Sequence, residues 1–96
     1  MSVGFSWDRQ KDLSNRVKHG ISFDEASSVF LDEQARLIAD PDHSANEDRF
    51  VLLGLSYAMR LLIVVHVYQD NDEIIRIISA RKATKSESQN YETGDT

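Results

Sequence analysis

The sequence predicts an α+β fold, helices packed on one face of an antiparallel sheet. Three observations carry this. Apolar residues in the first third recur at helical spacing between capping residues. From residue 35 onward the apolar pattern has a period of two. The segments linking the later strands, Ser56–Met59 and Gln69–Asp72, are too short for parallel crossovers. With 96 residues the chain forms one domain over 1–96, ordered from about residue 5 to 91 and followed by a polar tail.

The elements follow in order. Phe5 and Trp7 alternate with polar neighbours and start a short strand. Asp8 caps a helix over 9–19, and Gly20 supplies its left-handed stop. Leu13 and Val17 give this helix a narrow apolar stripe, and Lys18 and His19 sit in its last turn, where cations suit the helix dipole. Ser22 and Glu25 form a capping box for a second helix, with Ala26, Val29 and Phe30 on its buried face and an end near Leu31. Strands follow over 35–39, 47–55, 60–68 and 73–80. The 61–67 run is apolar on both faces and belongs at the centre of the sheet. Thr84 and Glu87 cap a last helix reaching about Tyr91.

Composition removes several chemistries. No cysteine is present, which excludes disulfides, thiolate metal sites and cysteine nucleophiles. The longest apolar run, Leu61–Val65, is far shorter than a membrane span, and the first ten residues lack a signal-peptide apolar region, so a cytoplasmic location is expected. Phosphate-loop, serine-nucleophile and zinc motifs are absent. The net charge is −5, but unevenly spread: residues 20–48 hold eight acidic side chains and one basic, whereas 1–19 and 60–85 are net basic. A basic patch on an acidic protein results if those two stretches meet.

Strand alternation groups the polar side chains. A turn centred near Asn71 sets His66 opposite Arg76 and Tyr68 opposite Ile74, gathering His66, Arg76 and either Arg49 or Phe50 on one sheet face. A slip of one residue moves Arg76 to the other face. Cations on an apolar sheet have two readings: an anion site, with arginines on phosphate and a histidine moving protons, or an internal ion-pair network involving Glu47 or Asp48. Asp40, Asp42, His43 and Glu47 share a loop but fit no metal-ligand spacing, so no metal or other cofactor is expected.

Several strings carry a resemblance together: FSWDRQKDLSNRVKHGISFDEASSVF, DPDHSANEDRFVLLG, RLLIVVHVY and IIRIISARKATKSE. From about Phe5 to Tyr91 the chain resembles the BrnT family of bacterial type II toxins. The resemblance implies a ribonuclease with a RelE/ParE-like fold, an antiparallel β-meander with an N-terminal helix pair and a C-terminal helix. It implies a BrnA-type antitoxin whose ribbon-helix-helix domain holds operator DNA. The family's polar signature matches Trp7, Lys18, His19, Asp42, His43, Glu47, Arg49, Arg60, His66, Arg76, Ser79 and Arg81. The expected activity is metal-independent cleavage of RNA by its own 2′-hydroxyl. Arg49, Arg76 and Arg81 form the phosphate clamp, His66 is the acid–base group with His19 and Glu47 behind it, and Lys18, Arg60 and Lys82 bind RNA. The alternative is a catalytically weak module that mainly holds the antitoxin. Operator DNA is reached through the antitoxin alone, because an acidic chain is a poor duplex binder.

Overall fold

A computed structural model describes residues 3–39 and 49–93. The elements are β1 (Gly4–Ser6), α1 (Arg9–His19), α2 (Phe23–Ser28) continuing as a 3₁₀ turn (Val29–Leu31), β2 (Arg36–Ile38), β3 (Phe50–Leu55), β4 (Leu61–Gln69), β5 (Ile74–Lys82) and α3 (Lys85–Thr93). One five-stranded sheet runs in the order β1-β5-β4-β3-β2.

The helix boundaries lie where the capping residues put them. The Asp8 carboxylate accepts from the amides of Gln10 and Lys11, and Gly20 closes α1 at φ 73°. Ser22 Oγ accepts from Glu25 N, and Thr84 and Glu87 form the reciprocal box at the start of α3. α2 is shorter than its periodicity suggests, because its last turn tightens to 3₁₀ geometry at Val29–Leu31. Gly54 explains why that turn can cross β3 closely: a Cβ there would lie 2.7 Å from Val29 and 2.8 Å from Ala35.

Both sheet faces are covered in part. α1, α2 and the 3₁₀ turn pack Ile21, Phe23, Ala26 and Val29 onto Leu52, Leu62, Val64, Ile77 and Ala80, with Trp7, Phe30 and Ala35 at the margin. A fully buried phenylalanine such as Phe23 contributes roughly 1.5–3 kcal/mol. On the other face Val51, Leu53 and Ile63 pack beneath Tyr91 of α3. The covering of β4 on both sides accounts for its continuous apolar run.

Three expectations change. The sheet is mixed rather than wholly antiparallel, because β1 lies parallel to β5, pairing Gly4, Phe5 and Ser6 with Ile74, Ile75 and Arg76. α1 does not dock through Leu13 and Val17, which are 42% and 89% exposed. It docks through polar groups. Asp12 Oδ1 accepts from Phe23 N at 2.8 Å, and the buried Asn15 amide donates to the carbonyls of Ile21 and Ala80 and accepts from Ala80 N. The third change is the β4–β5 register. Asp70, Asn71 and Asp72 all adopt left-handed backbone, φ 52°, 58° and 70°, and give a four-residue loop closed by Gln69 opposite Ile74. His66 therefore pairs with Ile77 and Val67 with Arg76, and a bulge between Val65 and His66 shifts the ladder once more. His66 and Arg76 are on opposite faces.

Candidate nucleic-acid interface

The face opposite α1 and α2 carries the arginines. Pairing sets Arg76 level with Val67, Ser79 level with Val65 and Arg81 level with Ile63. Phe50 closes the described β3–β4 ladder opposite His66, and Arg49 is the residue just before it. α3 covers the Ile63 end of this face, and Arg81 is engaged there: its guanidinium grips Glu87 through two 2.9 Å hydrogen bonds. That grip, with the Thr84 amide, holds the Glu87 carboxyl down to about 2 against the cost of burial.

Arg76 is different. It is half-buried between isoleucines, its one hydrogen bond is a long 3.5 Å contact to Ser6 Oγ, and among the described residues it makes no ion pair. Glu47 and Asp48, the partners of the ion-pair reading, lie outside the described residues, as do Asp40, Asp42 and His43. Among the described residues no three histidine or carboxylate groups converge as a metal site.

Beyond Ser6 the outer edge of β5 faces α1 rather than a strand. A groove of about 480 Å³ runs there, lined by the cap residue Asp8, by Gln10, Lys11, Ser14, Asn15, Lys18 and His19 from α1 and by Ile78 and Ser79 from β5. The positions 11, 15, 18 and 19 fall on one side of a helix, and Asn15 anchors that side against Ala80. The basic first helix and the last strand do meet, and Ser79 joins the groove to the arginine face.

Arg60 and Lys82 are elsewhere. The Arg60 guanidinium binds the buried Glu25 carboxylate through Nε at 2.9 Å and also through Nη2, which reaches the Gly20 carbonyl at 3.2 Å. Ser56 Oγ donates to the same carboxylate at 2.6 Å. Arg60's hydrogen bonds lower the Glu25 pKa despite burial, with help from Ser56 and the nearby Lys82 charge.

His66 is fully buried on the helix side. Its ring sits among Phe30, Phe50 and Tyr68, with centroids 4.8, 6.1 and 5.3 Å away. Nδ1 hydrogen-bonds the Val64 carbonyl at 3.1 Å, and Nε2 is buried with no partner among the described residues. Burial pushes this imidazole below the usual histidine range, the Val64 contact only partly opposing it. Sequence reasoning did not single out Asp12, Asn15 or Glu25 as buried polar anchors. Only the Glu25 capping-box position drew attention to one of them, and a box explains an exposed glutamate as well as a buried one.

The family model that matches describes the ribonuclease toxin BrnT of type II toxin-antitoxin systems and spans residues 7–87, most of the chain. The chain belongs to the BrnT family. Among solved structures it is similar to the Brucella abortus ribonuclease toxin BrnT, at 22% identity and a TM-score of 0.66, covering 88% of this chain and 100% of that one. At that identity the likeness speaks for the fold. A comparison with curated proteins finds no match. Membership of this family makes the chain a type II toxin and implies an antitoxin partner. Among the described residues no helix is long and apolar enough to cross a membrane.

Proposed function

We propose that this BrnT-family toxin is an endoribonuclease that needs no metal, halts growth by cleaving RNA, and is neutralised by a BrnA-type ribbon-helix-helix antitoxin. The observation that carries the reading is Arg76, a guanidinium held between isoleucines on an open sheet face with no ion pair among the described residues. Such a charge suits an incoming anion. In this reading β2 to β5 form the meander of a RelE/ParE-like toxin.

The chemistry follows from that surface. The 2′-hydroxyl attacks the adjacent phosphorus, the P–O5′ bond breaks as the leaving O5′ takes a proton from water, and a 2′,3′-cyclic phosphate and a 5′-hydroxyl result. Arg76 and Arg49 meet the phosphoryl oxygens as charge builds on them, and Arg81 supports the clamp from its Glu87 anchor. The proton of the 2′-hydroxyl needs an acceptor open to solvent. His66 is buried, so His19, in the groove with Lys18, takes that role, while His66 sets the aromatic packing. Arg60 and Lys82 serve the Glu25 cluster before any RNA.

The test is cleavage of purified RNA with and without EDTA, with analysis of the ends. Cyclic or 3′-phosphate ends formed in EDTA support the reading; 3′-hydroxyl ends that require magnesium overturn it. The alternative, a module whose main task is to hold the antitoxin, draws on the exposed Leu13–Val17 stripe beside Arg9 and Arg16 on α1. Gel shifts with toxin, antitoxin and both address the DNA. Only the antitoxin and the complex are expected to shift the operator, since the toxin carries net −5.

A further inference from the structure

The groove between α1 and the outer edge of β5 holds two kinds of polar group. Two are spent inside the chain. The Asp8 carboxylate caps α1, accepting from Gln10 N at 2.7 Å and Lys11 N at 3.2 Å, and the Asn15 amide is tied to the Ala80 backbone. The others are uncommitted. Neither Lys11 nor Lys18 pairs with a carboxylate among the described residues, and the half-buried Ser79 hydroxyl makes no hydrogen bond there. With its one described carboxylate used as a cap, the groove offers donors and positive charge, and the ligand this suits is an anion.

The spacing favours a chain of anions over a single one. Lys11 and Lys18 stand two helical turns apart, so both face the groove, with about 10 Å between them along the axis. Side chains on one face of a helix project side by side, each toward its own part of a long ligand. β5 supplies the opposite wall. Val65 pairs with Ser79 and His66 with Ile77, so Ile78 is an extra residue with no partner on β4. The bulge bends the edge of β5 and leaves Ile78 half-buried against the groove as an apolar wall. Ser79 stands on the same face as Arg76, because their partners Val65 and Val67 are two apart on β4. A basic rail facing an apolar wall is what an unpaired nucleic-acid strand needs: phosphates on the lysines, a base or ribose against the isoleucine. An A-form duplex is a thick rod with no single strand to lay between one helix and one sheet edge. Resting on the ribonuclease reading above, we infer that the α1–β5 groove is the track of single-stranded RNA, with Lys11 and Lys18 on its phosphates and Ser79 passing the strand on to Arg76.

Binding is measured by fluorescence anisotropy with a labelled 2′-O-methyl oligoribonucleotide, which lacks the attacking hydroxyl and stays intact. It is used alone and annealed to its complement. The single strand is expected to bind about tenfold tighter than the duplex. Lys11→Gln and Lys18→Gln are each expected to lower the slope of log affinity against log salt by about 0.7, and the double variant by about 1.4. Arg9→Gln removes the same charge from α1 outside the groove and leaves the slope as it is. Ser79→Ala weakens the single strand about fivefold, one hydrogen bond's worth. The three cations are exposed, and circular dichroism confirms that the variants fold. A duplex held as tightly as the strand overturns the inference, as does a double lysine variant with an unchanged slope. So does displacement of the strand by inorganic phosphate at constant ionic strength, because the site then takes one anion and not a chain. Loss of antitoxin binding in the lysine variants with RNA binding intact also overturns it, making the groove a protein contact. Single-strand binding through both lysines in a protein that cleaves no RNA leaves the track standing and removes the ribonuclease reading instead.

Discussion

Arg60 and Arg76 stand at the two ends of the sheet, and the fold treats them oppositely. Arg60 closes a cluster with Glu25, Ser56 and the Gly20 carbonyl, its Nε and Nη2 both answered from within the chain. Arg76 lies among isoleucines with one long contact to a serine. The first charge has its counter-charge within the chain; the second makes no ion pair among the described residues. The difference separates a cation that secures the α1–α2 corner from one that the proposed function gives to an RNA phosphate, although both read alike in the sequence as lone arginines beside apolar strands.

The sharpest way to break this contrast is Arg76→Ala. Cleavage of RNA is expected to fall by about 100-fold or more, the usual cost of losing one donor to a developing oxyanion, while the melting temperature moves by a few degrees at most. Unfolding of the variant would show instead that Arg76 is structural. The mirror experiment is Glu25→Ala. It leaves the buried Ser56 hydroxyl without its acceptor, while the part-exposed Arg60 guanidinium turns to water, so urea melts are expected to lose about 1–3 kcal/mol, with cleavage per folded molecule unchanged. If Glu25→Ala abolishes cleavage at full stability, the corner belongs to the catalytic surface after all.

Two pH experiments refine the picture. His66 has its folded pKa lowered, so below about 6.5 the unfolded chain takes up a proton that the folded one resists. Stability is highest above that pH and declines as pH falls through it. His66→Leu is expected to flatten the decline between pH 7.5 and 5.5; an unchanged slope would mean that another group drives it. The smallest effect concerns α3. Glu87 titrates near 2 in the folded chain against 4.5 in a free one, so its contribution is complete above about 4.5 and lost as pH falls toward 2. Glu87→Gln should make helix loss in far-ultraviolet circular dichroism independent of pH in that window, and the shift in wild type should be slight.

Much of this was legible in the sequence, for physical reasons. Caps are local, so Asp8, Gly20, Ser22 and Thr84 set the helix ends where short-range chemistry places them. The continuous apolar run of 61–67 fixed β4 at the centre. What was hidden is what depends on one residue more or less. Three left-handed residues in a row at 70–72 add a position to the turn, and that single step sends His66 to the core and Arg76 to the open face. The docking of α1 was hidden for a second reason. Asp12 and Asn15 are ordinary surface residues by type, and only the approach of Phe23 N and the Ala80 backbone makes them interior. The parallel seat of β1 leaves no local trace at all, since a three-residue strand carries no mark of direction.

Asn15 has a consequence at the scale of the cell. Where β1 stops, β5 would offer a raw sheet margin, the kind of template on which extended segments of other chains assemble into insoluble stacks. The Asn15 amide takes both backbone groups of Ala80 there, donor and acceptor, as a sixth strand would. A helix has thereby been given the hydrogen-bonding grammar of a strand at one residue. The margin is sealed by a single side chain, and a route to self-association is closed.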